Sequence, residues 1–476
     1  MQHSKWGSIS TFKKATLFLP RLYRHIDPSF KYIPQMKNYR NALTSPFQRA
    51  LNRGLDNEEG NFVFRVGDII YDTEQAIDGT SKRYLVEGSL GQGSYGQVLK
   101  CVDMETFCCY AIKVIKNIPA YTRQAQYEKK ILSLIREKDF DDQRRCLRLV
   151  NDFVFHGHAC FVTEILGENL YTTLKRGHFQ GFSLSLVSVI IAQVLDVMCL
   201  LRSLKIIHAD LKPENILIDG SLPKVKVVDF GSAVFESHPL YTYIQSRYYR
   251  APEVLLGLPY SLSIDMWSVG CIAAELFLGH PLLPGQPEHD QLCRIQRIVG
   301  NIPSELAVKS ASFQKYFIDD AASAEGVRLM NYEEYIASQQ TAKLFNPSSS
   351  STSSTPSKPP RRYPYEGNTL EDTIEMHHRR TTQQGNLLSK SANQRHCFIH
   401  FIRSILMIDA RKRPSPFEML QHPFITRQPW KGEWAPRTPK TMKEMKEMKE
   451  MKMQKSMNAM NMSNMSNVAS MSNLIQ

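Results

Sequence analysis

The feature that most constrains the fold is a glycine-rich segment, Gly91-Gln-Gly93-Ser-Tyr-Gly96, between two predicted strands. In a dinucleotide-binding fold, the same spacing of glycines leads directly into a helix. Here the run QVLKCV follows, with apolar residues alternating at Val98 and Cys101, and a second strand, YAIKVI, comes after a short turn. Because glycine has no Cβ, such a loop lets the backbone approach a ligand closely. The order strand, glycine loop, strand therefore favours an antiparallel sheet and argues against a dinucleotide enzyme.

A lysine and a glutamate follow at an informative spacing. Lys113 lies on the second strand, and Glu128 comes 15 residues later on a helix predicted over residues 121–138. A single lysine in a strand is usually a solvated edge residue, but this spacing is typical of an ion pair that directs the ammonium at nucleotide phosphates. The predicted apolar face of the helix carries Tyr127, Ile131, Leu134 and Ile135.

The strongest motif is the run IHADLKPENIL at residues 207–217, which contains Asp210, Lys212 and Asn215. A single aspartate in a loop is usually a turn former. This one precedes Asn215 by five residues and Asp229, of an Asp-Phe-Gly run, by nineteen. At that spacing Asp210 can orient a substrate hydroxyl and accept its proton, while Lys212 neutralises a transferring phosphate. Asn215 and Asp229 offer hard oxygen ligands for Mg²⁺.

Further motifs follow in a fixed order: Ala251-Pro-Glu253, then Asp265-Met-Trp-Ser-Val-Gly270, and we expect Glu253 to pair with Arg413. With these motifs, the chain resembles the eukaryotic protein kinases over about residues 84–424. The run YTYIQSRYYRAPE at 241–253 is similar to the activation segment of the dual-specificity tyrosine-regulated (DYRK) family of the CMGC group. LPYSLSID and KNIPAY are similar to its Yak-type branch, and the segment around 56–83 is similar in position to the family's N-terminal homology box.

The resemblance implies an α+β, two-lobed protein kinase fold. A small antiparallel sheet with one main helix would occupy 84–166, a larger helical lobe 167–424, and ATP would lie between them. Catalysis would rest on Asp210, Lys212 and Lys113, and Mg²⁺ on Asn215 and Asp229. We place the gatekeeper of the adenine pocket at Thr163. The residues expected around ATP are Leu90, Gly91, Gln92, Gly93, Ser94, Tyr95, Gly96, Gln97, Val98, Ala111, Lys113, Glu128, Glu164, Leu166 and Leu217.

The resemblance also implies an activity. Family members phosphorylate Ser or Thr in protein substrates, often before Pro, and phosphorylate one activation-loop tyrosine on themselves. That tyrosine maps to Tyr243, where a phosphate could bind Arg247 and Arg250; the alternative is that the tyrosine only packs the loop. Two positions depart from common kinase patterns: Ala209 replaces the arginine of the His-Arg-Asp motif, and Thr172 replaces an acid suited to a substrate arginine. A Yak-type kinase would act in growth or stress signalling.

Outside this region the chain is polar and basic. It has 59 Lys and Arg against 46 Asp and Glu, a formal charge of +13, and residues 1–53 hold much of that excess. Such an arm can bind nucleic acid, lipid or acidic protein, but we favour a solvated extension. We assign residues 1–60 to a basic irregular extension, 61–83 to the box-like segment, about 345–395 to a polar insertion loop, and 425–476 to a low-complexity tail. Packing is expected to resume at His396 and to end near Pro423.

Residues 184–201 are apolar and long enough to span a membrane. Gln193 and Asp196 lie near the middle of this stretch, so we predict a buried helix and no membrane contact. We expect no signal peptide at the N-terminus, because it has no unbroken apolar run; a transit peptide is the alternative.

Nine scattered cysteines without a CxxC pair favour a reducing compartment, the cytoplasm or the nucleus. We predict a monomer that acts on protein substrates, without nucleic acid as a partner. The alternative is a catalytically weak kinase-fold scaffold whose basic arm binds acidic partners.

Overall fold

A computed structural model describes Tyr23 and residues 41–74, 82–237, 242–320, 326–345, 367–383 and 391–436. Its small lobe is a six-stranded antiparallel sheet with the strand order β1-β2-β3-β4-β6-β5. The strands are β1 (Ile69–Tyr71), β2 (Arg83–Gln92), β3 (Gly96–Asp103), β4 (Cys109–Ile115), β5 (Leu149–Phe155) and β6 (His158–Thr163). The predicted antiparallel sheet is confirmed, and β1 adds to it residues that precede the expected start of the lobe at 84.

Side chains of this sheet alternate between two faces, as the period of a strand requires. The outer face is apolar and carries Leu99 and Ile112, both fully buried. It is covered by the segment 41–68, whose Phe62 and Phe64 rings complete a second hydrophobic core. The residues that precede the expected lobe boundary at 84 therefore form part of the small lobe.

One long helix, α1 (Pro119–Lys138), packs under the sheet. It begins two residues before the predicted start, because Pro119 is well suited to the first helical position. Ile131 and Ile135 are buried as predicted, but Tyr127 is 42% exposed and its assignment to the apolar face is wrong. The buried face centres instead on Glu128, which pairs with Lys113 and so fixes the rotation of the helix.

The large lobe is mainly helical. Its helices are α2 (Leu170–Arg176), α3 (Leu184–Ser203), α4 (Pro252–Leu255), α5 (Ser263–Leu278), α6 (Glu288–Ile298), α7 (Ser304–Val308), α8 (Phe313–Tyr316), α9 (Tyr332–Phe345), α10 (Leu370–Gln383), α11 (Ala392–Ile405), α12 (Pro416–Met419) and α13 (Pro423–Thr426). Its short strands are β7 (Ile206–Ile207), β8 (Ile216–Ile218), β9 (Val225–Val227), β10 (Val234–Phe235), β11 (Phe317–Asp319) and β12 (Val327–Leu329).

Two apolar helices, α3 and α5, form the centre of this lobe. Helix α3 has the length and composition of a membrane span, and 61% of its most apolar window is buried inside the protein. Since Val187, Ile191 and Leu195 on this helix are fully buried, the structure supports the predicted core helix.

The polar stretch 345–395 is not wholly a loop, so that prediction is wrong in part. Helix α10 lies within it and buries Leu370, Ile374 and His377, which recur on one helical face. Its polar side pairs with α11, for example through Arg395 and Glu375 at 2.8 Å. The helix was not predicted, because its apolar stripe is narrow and charged residues dominate its sequence.

Packing also continues past Pro423, where it was expected to end. The Phe424 side chain is buried. The rings of Trp430 and Trp434 lie against His400 and His422, with centroids 4.7 Å apart for Trp430–His400 and for Trp434–His422.

Candidate active site

The glycine loop connects the ends of β2 and β3, where Gln92 and Gln97 are cross-strand partners. Gly93 donates its N–H to the Gly96 carbonyl at 2.8 Å, which closes the turn. A Cβ on Gly96 would lie 2.1 Å from the Val114 carbonyl oxygen, so only glycine fits there. By contrast, Cβ atoms on Gly91 or Gly93 would meet nothing within 4 Å. The expected ligand-facing residue Ser94, at the loop tip, is exposed.

Two residues expected to contact ATP point elsewhere. The Gln97 side chain is 1% exposed on the outer face of the sheet, where its amide donates to the Phe62 carbonyl at 2.7 Å. The Gln92 side chain bonds the backbone of Ser45. Strand alternation explains the direction of the Gln97 side chain, because Gln97 precedes Val98 and must face the opposite side. Any contact of Gln92 or Gln97 with ATP would therefore come from the backbone.

The inner face of the sheet carries the expected adenine-pocket residues. Ala111 on β4 and Thr163 at the end of β6 are cross-strand partners, and the Thr163 hydroxyl donates to the Ala111 carbonyl at 3.3 Å. Val98 is partly buried on the same face, and Leu217 on β8 is half-buried in the large lobe below. Leu90, near the loop, is 51% exposed.

The segment that connects the lobes is fixed by an ion pair between Glu164 and Lys226. The Glu164 carboxylate accepts two bonds from the buried Lys226 ammonium, at 2.7 and 2.9 Å. Asp142 binds the same ammonium at 2.7 Å. The side chain of Glu164 is thus fixed by Lys226, so any contact with adenine would come from its backbone. Leu166, two residues on, is half-buried.

Lys113 occupies the centre of the cleft and bridges the lobes. Its ammonium lies 2.7 Å from the Glu128 carboxylate on α1 and 2.9 Å from Asp229 in the large lobe. Burial alone would lower the pKa of Lys113, but the two carboxylates outweigh burial and raise it. The Lys113 ammonium in turn lowers the pKa of Asp229 to about 2. The ion pair predicted from the 15-residue spacing is present.

The Asp-Phe-Gly run positions Asp229 toward that ammonium. Asp229 has a left-handed backbone conformation with φ 61°. The buried Phe230 ring packs beside His208, with centroids 5.1 Å apart. Gln124 on α1 donates to the Gly231 carbonyl at 2.7 Å, which ties the helix to this turn. A Cβ on Gly231 would approach Asp229 Oδ1 and Lys113 Nζ at 3.1 and 3.2 Å, so glycine keeps this ion pair uncrowded.

Asp210 is held at the mouth of the large lobe by several donors. Lys212 donates to its Oδ2 at 2.6 Å, and Ser246 donates to its Oδ1 through both its hydroxyl at 2.7 Å and its backbone N–H at 3.1 Å. Asn215 Nδ2 donates to the Asp210 carbonyl at 2.8 Å. The structure therefore brings together the three residues of the predicted motif.

Sequence reasoning missed two residues that position this loop. Ser246 was read only as part of the activation segment. Asp265, at the start of α5, accepts from the backbone N–H groups of His208 and Ala209 at 2.7 and 3.0 Å. Its place in the Asp-Met-Trp run was visible, but no local pattern says what a distant carboxylate will bind.

The donor set at the cleft fits a hard divalent cation. The low pKa of Asp229 keeps its carboxylate ionised at neutral pH, and only its Oδ1 has a recorded bond to Lys113. The side-chain amide nitrogen of Asn215 donates to the Asp210 carbonyl, which leaves the side-chain oxygen of Asn215 on the opposite side of the amide. Carboxylate and amide oxygens are the ligands Mg²⁺ accepts. Asp229 and Asn215 would hold such an ion.

The activation segment places Tyr243 beside basic groups. Tyr243 is 66% exposed, and the Arg250 guanidinium lies 4.0 Å from its ring centroid. Bonds from Arg250 lower the pKa of Tyr243, with a smaller contribution from Arg247. Arg250 also binds Glu288 on α6 at 3.2 Å. Tyr241, the other tyrosine of the pair, lies outside the described residues.

A buried ion pair anchors the end of the activation segment to the large lobe. Arg413 donates to the Glu253 carboxylate at 2.9 and 3.1 Å, and both side chains are almost fully buried. The pair expected from the sequence is confirmed. It fixes the end of the activation segment to the floor of the large lobe.

Comparison with known proteins places these features in a family. The protein kinase domain profile matches residues 84–425. The chain is 37% identical over 438 residues to the dual specificity protein kinase YAK1 of Saccharomyces cerevisiae, covering 90% of this chain and 52% of that protein. It is 39% identical over 420 residues to the serine/threonine-protein kinase ppk15 of Schizosaccharomyces pombe, covering 88% and 74%.

A third relative is the probable serine/threonine-protein kinase yakA of Dictyostelium discoideum, 38% identical over 435 residues. The chain spans only 28% of yakA and about half of YAK1. The match to the family profile and the relatives agree with the two-lobed fold and the cleft. The chain belongs to the protein kinase family and, within the CMGC group, to the Yak1-type branch of the DYRK kinases.

Proposed function

We propose that this protein transfers the γ-phosphoryl group of ATP to Ser and Thr hydroxyls of protein substrates. The observation that carries the proposal is the pairing of Lys113 from the small lobe with Asp229 from the large lobe, next to a restrained Asp210. An ammonium, an ionised carboxylate and a positioned base are the groups this transfer needs. This set also argues against the alternative of a catalytically weak scaffold.

The residues divide the work. Lys113 binds and orients the nucleotide phosphates, and Glu128 keeps its ammonium in place. Asp210 orients the acceptor hydroxyl and takes its proton, and Lys212 offsets the negative charge of the transferring group. Asp229 and Asn215 would hold Mg²⁺, which would supply charge neutralisation at the phosphates when bound.

We further propose that the substrate hydroxyl is followed by proline. Gln245, next to the Asp210-binding Ser246, has a left-handed φ of 64°. Its carbonyl accepts two bonds from Arg250, from Nη2 at 2.8 Å and from Nε at 3.2 Å, and is therefore already occupied. A residue after the acceptor would find no free carbonyl there for its N–H, and proline has no N–H to satisfy.

A peptide library tests both parts. Ser-Pro peptides should be phosphorylated with a kcat/KM about tenfold above matched Ser-Ala peptides, the value of one unsatisfied donor. Equal values for the two would contradict the proline preference. No phosphorylation of any Ser or Thr peptide by wild-type protein would contradict the proposed function itself.

Self-phosphorylation of Tyr243 is the third part of the proposal. Arg247 and Arg250 would bind the phosphate through charge-assisted hydrogen bonds, and Arg250 already contacts the ring. Protein expressed in a bacterium, which lacks upstream kinases of this type, should carry phosphate on Tyr243, and Tyr243→Phe should lower activity without abolishing it. Mass spectrometry that finds unmodified Tyr243 in active protein, or equal modification in Asp210→Asn, would contradict it.

We also propose that the protein works as a monomer in the cytoplasm or the nucleus, in growth or stress signalling. The nine cysteines are free in the structure, which suits a reducing compartment. The signalling role rests on resemblance to the family alone.

A further inference from the structure

The glycine loop has little packing of its own. Positions 91 and 93 face open space, and the main side-chain contact at the tip is between Tyr95 and Tyr121 on α1, with centroids 5.3 Å apart. The resting position of such a loop is set by the two strand ends that carry it. These ends are Gln92 on β2 and Gln97 on β3, which are cross-strand partners.

Both strand ends are held by the same short stretch of chain, residues 44–46. The Thr44 hydroxyl, on a residue 3% exposed, lies 2.8 Å from Gln97 Oε1 and 3.0 Å from the Phe62 carbonyl, which share its one proton as acceptors. The same hydroxyl accepts from the Phe64 N–H at 3.0 Å. Ser45 donates its N–H to Gln92 Oε1 at 3.0 Å, and Gln92 donates back to the Ser45 carbonyl.

This stretch is itself fixed to the rigid part of the small lobe. Asn57, fully buried, donates to the Pro46 carbonyl at 2.8 Å. The neighbouring Asp56 accepts from the buried His158 ring on β6 at 2.9 Å. A continuous set of polar contacts thus runs from β6 through residues 56–57 to residues 44–46 and the loop ends. Its contacts at His158–Asp56 and Thr44–Gln97 are buried, whereas the Ser45–Gln92 pair is exposed. The buried contacts favour a single arrangement because a broken bond there leaves an unsatisfied group.

We propose that residues 44–46 are a positioning element for the nucleotide loop, and that Thr44, Gln92 and Gln97 set the affinity for ATP without touching it. The inference deepens the proposed function and rests on it for its kinetic part, because it assigns a control on the ATP side of the same cleft. Residues 44–46 lie before the region matched by the kinase domain profile, which begins at 84. A kinase domain cut at that boundary would lose this element.

The test compares three variants of the full chain. Thr44→Val removes the hydroxyl and keeps the shape, and Thr44→Ser restores the hydroxyl. Thr73→Val is the matched control, because the Thr73 hydroxyl also donates to a carbonyl, Val154 at 3.1 Å, and accepts from an N–H, His156 at 3.0 Å, but at β5, away from the loop.

The first measurement is hydrogen–deuterium exchange at residues 91–96 in nucleotide-free protein. Exchange should rise in Thr44→Val and stay at the wild-type level in Thr44→Ser and Thr73→Val. This measurement does not depend on phosphoryl transfer, so it decides the proposal even if the proposed activity fails. Equal loop exchange in Thr44→Val and Thr73→Val would overturn it.

The second measurement separates KM from kcat. In Thr44→Val the KM for ATP should rise about fivefold, the value of about one hydrogen bond, with kcat and the peptide KM unchanged. A fall in kcat together with a rise in the KM for ATP and in the peptide KM, with a lower Tm, would mean that Thr44 only stabilises the lobe. That result would overturn the proposal. If Thr44→Val does not fold, Gln92→Ala on the exposed edge gives the same readouts, and an unchanged loop exchange there counts equally against it.

Discussion

At the scale of single residues, Lys113 has the most demanding position, because it joins both lobes through Glu128 and Asp229. Lys113→Met should reduce phosphoryl transfer at least about a hundredfold, as the loss of a charge-stabilising donor does. The protein should remain folded, since Lys113 contributes little to the apolar core, although its Tm should fall because Glu128 loses its partner. Turnover on a Ser peptide, with circular dichroism as the control for folding, measures this. Normal turnover would contradict the active site.

If Thr163 is the gatekeeper predicted from the sequence, its size sets how much room the adenine pocket has behind it. It is 7% exposed and lies beside Ala111, and its side chain is small. ATP analogues with a bulky group on the base should therefore bind, and Thr163→Phe should weaken them by about 1–3 kcal/mol through overpacking. The KM for ATP itself is the control and should change little. Unchanged affinity for the bulky analogues would show that Thr163 is not the gatekeeper.

The limits of sequence reasoning are visible at this scale too. Motif spacing predicted Lys113–Glu128 and Glu253–Arg413, because fixed separations within one fold bring the same positions together. It did not reveal which way the Gln97 side chain points within the glycine-loop motif. Strand alternation places that side chain on the outer face, and its partners Thr44 and Phe62 lie too far away in sequence for any local pattern to find.

At the scale of elements, α5 carries an unusual buried acid, Glu275. Tyr249 donates its hydroxyl to the Glu275 carboxylate at 2.6 Å. Burial raises the pKa of Glu275 to about 8, and the nearby Glu214 adds to the shift. The carboxyl is therefore protonated in the folded protein at neutral pH but ionised in the unfolded chain above its ordinary pKa of 4.5.

The sign of the pH dependence follows from this raised pKa. The unfolded chain releases the proton first, so the contribution of Glu275 to stability is complete below about pH 4.5 and is lost as pH rises toward 8. Wild type should lose more of its free energy of unfolding between pH 5 and 8 than Glu275→Gln, whose side chain stays neutral. The difference between the two losses should be on the order of 3 kcal/mol. Urea unfolding at each pH measures it, with the exposed Glu305→Gln as control. The same pH slope in wild type and Glu275→Gln would contradict the raised pKa.

Elements were predicted well where their periodicity was strong. The strands around the glycine loop, helix α1 and the apolar helix α3 were all expected. Helix α10 was missed because a polar stretch surrounds it, and β1 was left outside the lobe because its three residues form a strand only against β2. In both cases tertiary contacts supply stability that local sequence does not display.

At the scale of the whole molecule, the candidate active site depends on two lobes that meet at one place. The small lobe contributes Lys113 and the glycine loop, and residues 44–46, before the kinase domain, bond the two strand ends that carry this loop. The large lobe supplies Asp210, Lys212, Asn215 and Asp229 from loops that α5 and the activation segment fix in place. Neither lobe alone contains the chemistry, so the protein should act only when the lobes are joined in this arrangement.

The most direct test of this arrangement is the rate of phosphate transfer from ATP to a Ser-Pro peptide by Asp210→Asn, measured beside wild type. The account predicts a fall in kcat of about 10²–10⁴-fold, the usual contribution of a positioned base. The affinity for ATP should stay close to wild type, because Lys113, Glu128 and Asp229 are untouched. Wild-type turnover by Asp210→Asn would contradict the account.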